Sequence, residues 1–348
     1  MAQPTILENL MTTIKDVAKA AGVSIATASR VINNSPQTSE KAVKAVQQAM
    51  KALGYRPNAN ARALVSKSSN TIGVLVNDVS SPFFGSMVKA IDTVASEQGK
   101  QLLIGSGYHD ADKERNAINL LINSQCESLV VHSKGMSDEE LRLLANEIPG
   151  MVLINRSIPG IESRCVALDN YKGSYIATEY LIKNGHRDIG YICSSHDIAD
   201  AHDRLRGYYD ALRDNHITIK ESYIEFEEPD EKGGELAMVN LLAKNIPLSA
   251  IATYNDYMAA GCMALLQENE IRIPQDVSIV GFDDGHIARY IYPRLTTIRY
   301  PIQVMAAEAV KLSTQLINKE AIQSHTQRLF LPILVRRSTV AVINQNIP

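Results

Sequence analysis

At 348 residues the chain exceeds one typical domain and can bury a sizeable core in two or three packed units. Its 45% hydrophobic and 21% charged residues are ordinary for a globular protein, its apolar runs fall short of the roughly 20 residues that cross a bilayer, and the amino terminus MAQPTILENL has no basic patch before an apolar segment, so no membrane partner is expected and a cytoplasmic protein is. The net charge of −3 hides an asymmetry: Met11 to Ser68 holds nine basic residues against two acidic ones, so a small basic part, suited to nucleic acid, is joined to an acidic remainder.

In chain order, Thr13 precedes IKDVAKAA, with Asp16 three residues on as a variant capping box and Ile14, Val17, Ala18 and Ala21 on one helical face. Gly22 stops this helix, Val23 fills the turn, and Ser24 can cap a second helix, IATASRVIN, whose Ala28, Val31 and Ile32 face inward. A third helix starts near Ser39, repeats apolar residues at Val43, Val46, Met50 and Leu53, and ends at Gly54. Three short helices with a glycine turn between the first two predict a helix-turn-helix, whose second helix enters the major groove. Small residues let its backbone approach the bases, so Ile25 and Ala26 are expected at thymine methyls and Arg30 at a guanine edge, while Ser24, Thr27, Ser29 and Asn33 suit phosphate oxygens. Thr13 and Tyr55 are counted with the DNA-binding set.

In YRPNANARALVSKSSN, Pro57 restricts Arg56 to extended backbone and Asn58 can cap the short helix ANARAL, which at about eight residues is marginal alone and needs a partner to form. SKSSN then reads as a linker. Ala61 and Leu64 share a face, and an apolar side chain offered there can wedge between base steps in a minor groove.

TIKDVAKAAGVSIATASRVINNS followed by GYRPNANARAL resembles the lactose and galactose repressor family, and the likeness extends along nearly the whole chain through NDVSSPFFG, VLINR, DRLRGYYDAL, YNDYMAAG and GFDD. Ala28 departs from the family's usual valine; facing inward, it is expected to loosen packing rather than alter base reading. The leader 1–10 is unlike the family.

From Thr71 onward, apolar strand-like runs (TIGVLV, QLLIGS, SLVVHS, VSIVGFDD) alternate with helical patterns, which argues for parallel sheets covered on both faces, an α/β core. The resemblance implies a bilobed, periplasmic-binding-protein-like core of two such sheets behind the all-α DNA-binding domain. Its expected organisation is a leader 1–10, a headpiece 11–57, a hinge helix and linker 58–70, and a core 71–348. Lobe 1 spans about 71–168 and 300–329, lobe 2 about 169–299 and 330–348, with crossings near Leu168, Arg299 and Phe330.

Ligands of open α/β sheets bind beyond the carboxyl ends of strands. NDVSSPFF, VLINR, TYND and GFDD stand there, offering Asp78, Asn155, Arg156, Asn255, Asp256, Asp283 and Asp284 as polar groups and Phe83 and Phe84 as aromatic faces, joined by Arg204 from DRLRGYY. Carboxylate, amide and guanidinium groups serve adjacent hydroxyls of a neutral polyol, and an aromatic ring covers its apolar face. By resemblance Arg204, Asn255 and Asp283 form the effector-binding triplet, with Asn155 next. Asp256 and Asp284 are expected as helix caps. His132, closing SLVVHS, either lines the cleft or is a satisfied structural histidine.

No catalytic role is expected: GxGxxG does not follow the first strand, and GxSxG, Walker and HExxH sequences are absent. The four cysteines, Cys126, Cys165, Cys193 and Cys262, have no metal-ligand spacing, and neither metal nor cofactor is expected. The expectation is a dimeric repressor on a two-fold pseudopalindromic operator in double-stranded DNA, released by a sugar. The galactose members of the family make D-galactose the expected inducer, and a carboxyl terminus NQNIP without a heptad tail favours a homodimer. A corepressor-type regulator that binds a purine or another sugar is the alternative, a sugar carrier a more distant one.

Overall fold

The computed structural model describes residues 12–33, 35–55, 70–320 and 328–343. The chain divides into two compact units, the second beginning at Asn70.

In the first unit, α1 (Ile14–Ala21) starts at a reciprocal capping box: the Thr13 N–H donates to the Asp16 carboxylate at 2.9 Å and the Asp16 N–H to the Thr13 hydroxyl at 3.4 Å. Gly22 closes it in the left-handed region at φ 64°, which lets the chain reverse into α2 (Ile25–Ile32). The Ser24 hydroxyl caps α2 by accepting from the Thr27 N–H at 3.1 Å. The Ser39 hydroxyl caps α3 (Glu40–Ala52) in the same way. Val17, Ala18, Ala28, Val31, Val46 and Ala49 are buried together as a satellite core. Leu53 departs from expectation: it follows the last turn of α3, lies exposed, and its carbonyl accepts from the Thr12 hydroxyl.

The second unit contains two sheets. Lobe 1 is built from β1 (Thr71–Val76), α4 (Pro82–Glu97), β2 (Gln101–Ser106), α5 (Ala111–Asn123), β3 (Ser128–Val131), α6 (Asp138–Glu147), β4 (Met151–Ile154) and β5 (Cys165–Leu168). The chain then builds lobe 2 from α7 (Asn170–Lys183), β6 (Ile189–Ser194), α8 (Ala199–Asp214), β7 (Ile224–Glu227), α9 (Glu231–Ala243), β8 (Ala250–Thr253), α10 (Asp256–Glu268), β9 (Ser278–Asp283), α11 (His286–Tyr290) and β10 (Thr296–Arg299). It returns with α12 (Ile302–Ile317), which packs on α4, β3 and β4 of lobe 1, and ends in β11 (Arg328–Phe330) and β12 (Ile333–Val335).

Sheet order is β11-β5-β4-β3-β1-β2 in lobe 1, all parallel, and β12-β10-β9-β8-β6-β7 in lobe 2, parallel except for the antiparallel edge strand β12. Central strands are apolar on both faces because helices cover both: Val74, Val130 and Val152 join the buried cluster of α4 and α12, whereas Leu75, Leu129 and Val131 join that of α5 and α6. Strand order reverses between β1 and β3 in one sheet and between β6 and β8 in the other. A crevice opens at such reversals, outside the carboxyl ends of the strands. No helix among the described residues is long and apolar enough to cross a membrane.

Candidate functional site

Each unit offers one site. In the first, α2 buries Ala28 and Val31 and turns Ser24, Ile25, Ala26, Arg30 and Asn33 outward. Ile25, at the first turn, is 48% exposed, a large apolar side chain that no packing accounts for. Thr27 and Ser29 are half-buried; Ser24 shares its hydroxyl with Thr27 at 2.9 Å, and Ser29 faces the Asn33 amide at 3.5 Å. Thr13 is exposed at the cap of α1, and Tyr55 packs partly against the small core. Asn58, Ala61 and Leu64, with the rest of the expected hinge and the leader, lie outside the described residues.

In the second unit a cavity of about 560 Å³ lies between the lobes where both crevices meet. Asp78, Phe83, Phe84, His132, Asn155, Arg204, Asn255 and Asp283 all line it. They converge because each stands just past a strand end or on a helix that opens there. Asn155, with φ 56°, and Asp283, with φ 119°, follow or close their strands in left-handed backbone that non-glycine residues rarely adopt, strain of the kind that gathers at binding sites.

Arg204 is buried, not a surface residue of a charged helix: Nε donates to Asn170 Oδ1 at 2.9 Å, Nη1 donates to the Tyr254 carbonyl at 2.5 Å, and the guanidinium lies 3.6 Å from the centre of the Phe282 ring and 3.8 Å from the Asp283 carboxylate. Burial, against the pull of Arg204, pushes the Asp283 carboxyl up to about 7. Asn255 is the N-cap of α10, accepting from the Met258 N–H at 2.8 Å while its amide donates to the Pro229 carbonyl at 2.8 Å, which leaves one acceptor and one donor for a ligand. Asp78 forms a local turn with Ser80, whose N–H and hydroxyl hold its carboxyl below the usual range. Phe83 meets Phe84 and Tyr300 edge-on at 5.2 and 5.1 Å, so the two phenylalanines are both packed and cavity-lining.

Three expectations are corrected, and the alternative left open for His132 is decided for the cavity. Asp256 is not a cap: it is wholly buried, accepts from the Gly285 N–H and the Thr297 hydroxyl, and burial together with the Asp283 charge raises its carboxyl well above the ordinary range. Gly281 makes this possible, since a Cβ there would stand 2.4 Å from Asp256 Oδ1. Asp284 is not a cap but an ionic hub for Arg299 and Arg337. Arg156 turns from the cavity to Asp138 and the Ser133 carbonyl. His132 is not a satisfied structural histidine: it is buried beside Phe84, its Nδ1 has no partner, and burial holds its imidazole neutral.

Residues that the sequence reading passed over complete the walls. Lys134 donates to the Asn155 carbonyl and to Asp200, each at 2.5 Å, and the Asn155 amide donates to the other Asp200 oxygen at 2.5 Å. Asn170 donates to Asn155 at 3.4 Å and accepts from Arg204, so one polar chain runs from lobe 1 to lobe 2. Burial pulls the Lys134 ammonium down, yet against burial the Lys134 charge keeps Asp200 below its usual value, and we take the pair as ionised. His109 and His196 meet across the cleft at 5.2 Å, and burial depresses His109 to about 4. In sequence, SLVVHSK and the start of DIADAHDR stand past strand ends like the motifs that were recognised; position alone marks them.

With cations and carboxylates paired across it, the cavity suits a neutral, hydroxyl-rich ligand with an apolar face. Among the described residues no group of three or more His, Cys, Asp or Glu is placed to hold a metal ion.

Residues 13–58 match the family described as "Bacterial regulatory proteins, lacI family", and residues 178–340 match the "Periplasmic binding protein-like domain". The HTH-type transcriptional regulator GalR of Escherichia coli strain K12 is 53% identical over 331 residues, 95% of this chain and 96% of its own. GalR of Salmonella typhimurium strain LT2 is 54% identical with the same coverage, and GalS of that strain 51% over 95% of this chain and 97% of its own. Among solved structures, the lac repressor dimer bound to operator and the anti-inducer ONPF superposes with a TM-score of 0.83 at 25% identity, covering 95% of this chain and 99% of that one. The complex of the transcriptional regulator CelR with cellobiose gives 0.68 at 27% identity, with 94% and 99% coverage.

Proposed function

This chain belongs to the lacI family of bacterial regulatory proteins and is a DNA-binding transcriptional repressor of the galactose-repressor type, and from that we propose that D-galactose, bound between the lobes, lowers its affinity for a pseudopalindromic operator. The observation that carries this reading is the meeting of Arg204, Asp283, Asn155 and Asn255 with Phe83 and Phe84 in one interlobe cavity. Arg204 and Asp283 serve neighbouring hydroxyls, the amides add a donor and an acceptor each, and the phenyl rings cover the ring's apolar face.

The protein acts as a homodimer, each subunit placing α2 in one major-groove half-site. Ile25 and Ala26 meet base edges and Arg30 a guanine, while Thr13, Ser24, Thr27, Ser29, Asn33 and Tyr55 hold the backbone. The segment with Asn58, Ala61 and Leu64 pairs with its partner over the operator centre, where Leu64 wedges the middle step. Sugar shifts the equilibrium because it binds one lobe arrangement better than the other; equal affinity for both would shift nothing.

Titration of operator affinity with and without D-galactose tests this. Weaker DNA binding with galactose is expected. Stronger binding makes the ligand a corepressor, and no change removes galactose. Leu64→Ala is expected to weaken operator binding and leave sugar binding intact; unaltered operator affinity removes the wedge.

A further inference from the structure

We propose that Lys134 and Asp200 form an ion-pair latch that holds the two lobes of the core together before any effector arrives, and that the operator affinity of the effector-free protein depends on it. The DNA side of this rests on the repressor reading; the latch itself rests on geometry.

Lys134 belongs to lobe 1, in the loop after β3, and Asp200 to lobe 2, in the first turn of α8. Their side chains are 3% and 8% exposed, so opening the lobes takes both charges from each other into water. The attraction between the charges, together with their hydrogen bonds to Asn155, offsets the cost of burying both only while the lobes are together, so the pair favours that arrangement over the parted one. The first turn of a helix also favours a carboxylate, through its unpaired N–H groups.

Neither partner can follow the other when the lobes part. The loop of Lys134 is pinned within lobe 1: the buried Glu114 carboxylate accepts from the N–H groups of Lys134 at 3.0 Å, Gly135 at 3.1 Å and Met136 at 3.0 Å, and from the Ser133 hydroxyl. A Cβ on Gly135 would stand 2.7 Å from the Ala111 nitrogen, so the loop lies flush against the start of α5. Asp200, for its part, rides on α8, which is fixed to α7 where Gly207 sits against the Tyr171 carbonyl. Lys134 therefore reaches Asp200 only in one lobe arrangement.

The pair also has capacity to spare. The ammonium has three protons, two of them given to Asn155 and Asp200, and each Asp200 oxygen accepts one hydrogen bond and can accept another. A hydroxyl-rich ligand in the cavity can engage these free positions and draw the two charges from each other, so the sugar and the latched arrangement compete, and binding of one weakens the other.

The test compares effector-free wild-type protein with Lys134→Met, with the charge-free double variant Lys134→Met/Asp200→Asn, which leaves no lone buried charge to impair folding, and with Lys134→Arg, which keeps a cation opposite Asp200. Small-angle scattering reads lobe opening, and binding to a selected operator duplex reads function. The Lys134→Met and charge-free variants are expected to expand and to lose about tenfold in operator affinity, and Lys134→Arg to stay within about threefold of wild type. Folded variants with the wild-type scattering curve and operator affinity overturn the latch, as does a Lys134→Arg variant no better than Lys134→Met. A wild type that prefers no duplex sinks the repressor reading alone, and scattering then decides the latch: expansion in Lys134→Met that is absent in Lys134→Arg supports it, an unchanged curve overturns it.

Discussion

Arg204 donates through Nε to Asn170 Oδ1 at 2.9 Å, joining the helix that lines the cavity to the residue that opens lobe 2. Asn170 in turn donates to Asn155 of lobe 1, so the arginine most suited to bind a hydroxyl pair is also wired to the crossing between the lobes. Arg204→Lys keeps the charge but loses the planar fork that serves Asn170 and the Tyr254 carbonyl together. Losing about 2 kcal/mol of charge-assisted hydrogen bonding corresponds to about 30-fold weaker effector binding. Calorimetry with the effector sugar measures this, and operator binding without sugar is expected to hold within a few-fold. A variant with wild-type sugar affinity removes Arg204 from the site.

Gly207 bears on the same helix. A Cβ there would stand 2.3 Å from the Tyr171 carbonyl and 2.9 Å from the Tyr175 nitrogen, both backbone atoms of α7 that cannot swing aside. Alanine gains up to about 1 kcal/mol in helix propensity over glycine. Overpacking against backbone costs about 1–3 kcal/mol, and the clash prevails. Gly207→Ala is therefore expected to lower the melting temperature by scanning calorimetry and to weaken effector binding with it, because α8 carries Arg204. An equal or higher melting temperature would show that α7 and α8 separate freely.

On the DNA side, Ser24 and Arg30 are expected to differ in kind. Ser24→Ala removes the cap on the Thr27 N–H and is expected to cost about 1 kcal/mol of stability in the small unit. Arg30→Ala leaves that stability unchanged, costs about 1–3 kcal/mol of specific binding and relaxes preference at one base pair. Selection from a randomised operator pool reads this directly. Equal losses on every sequence would make Arg30 a phosphate contact.

The headpiece was legible because short-range rules govern it: Thr13, Gly22, Ser24 and Ser39 act within four residues of their own positions, and each element forms where its cap stands. The alternation of strands and helices was legible for a similar reason. What the sequence hid are partners distant in the chain. Lys134 and Asp200 are 66 residues apart, and no local pattern marks a loop lysine for burial. Asp256 and Asp284 stand where caps stand, but the cap of α10 belongs to Asn255, and the burial that turns one into a raised carboxyl and the other into an arginine hub comes from tertiary packing. Leu53 fits the helical repeat and is exposed because α3 ends one residue before it.

Effector binding is expected to depend on pH through Asp283. An unfolded aspartate titrates at about 3.9, whereas burial holds Asp283 at about 7. The native state then binds more protons than the unfolded one between those values. This group's contribution to stability accordingly falls as pH rises from about 4 to about 7 and is level above. Sugar binding runs the other way. A carboxylate accepting two hydroxyl hydrogen bonds is favoured when ionised, so below about pH 7 binding must expel a proton, and affinity is expected to drop by nearly tenfold per pH unit in the limit. Calorimetry between pH 5.5 and 8, repeated in buffers of different ionisation enthalpy, is expected to show tighter binding with rising pH and proton release, each absent in Asp283→Asn. The neighbours that set this value are Arg204, which opposes the shift, and Asp200, which adds to it. Asp200→Asn is therefore expected to move the midpoint downward and keep the slope. A flat profile, or proton uptake on binding, would mean that the sugar does not meet Asp283 as a carboxylate.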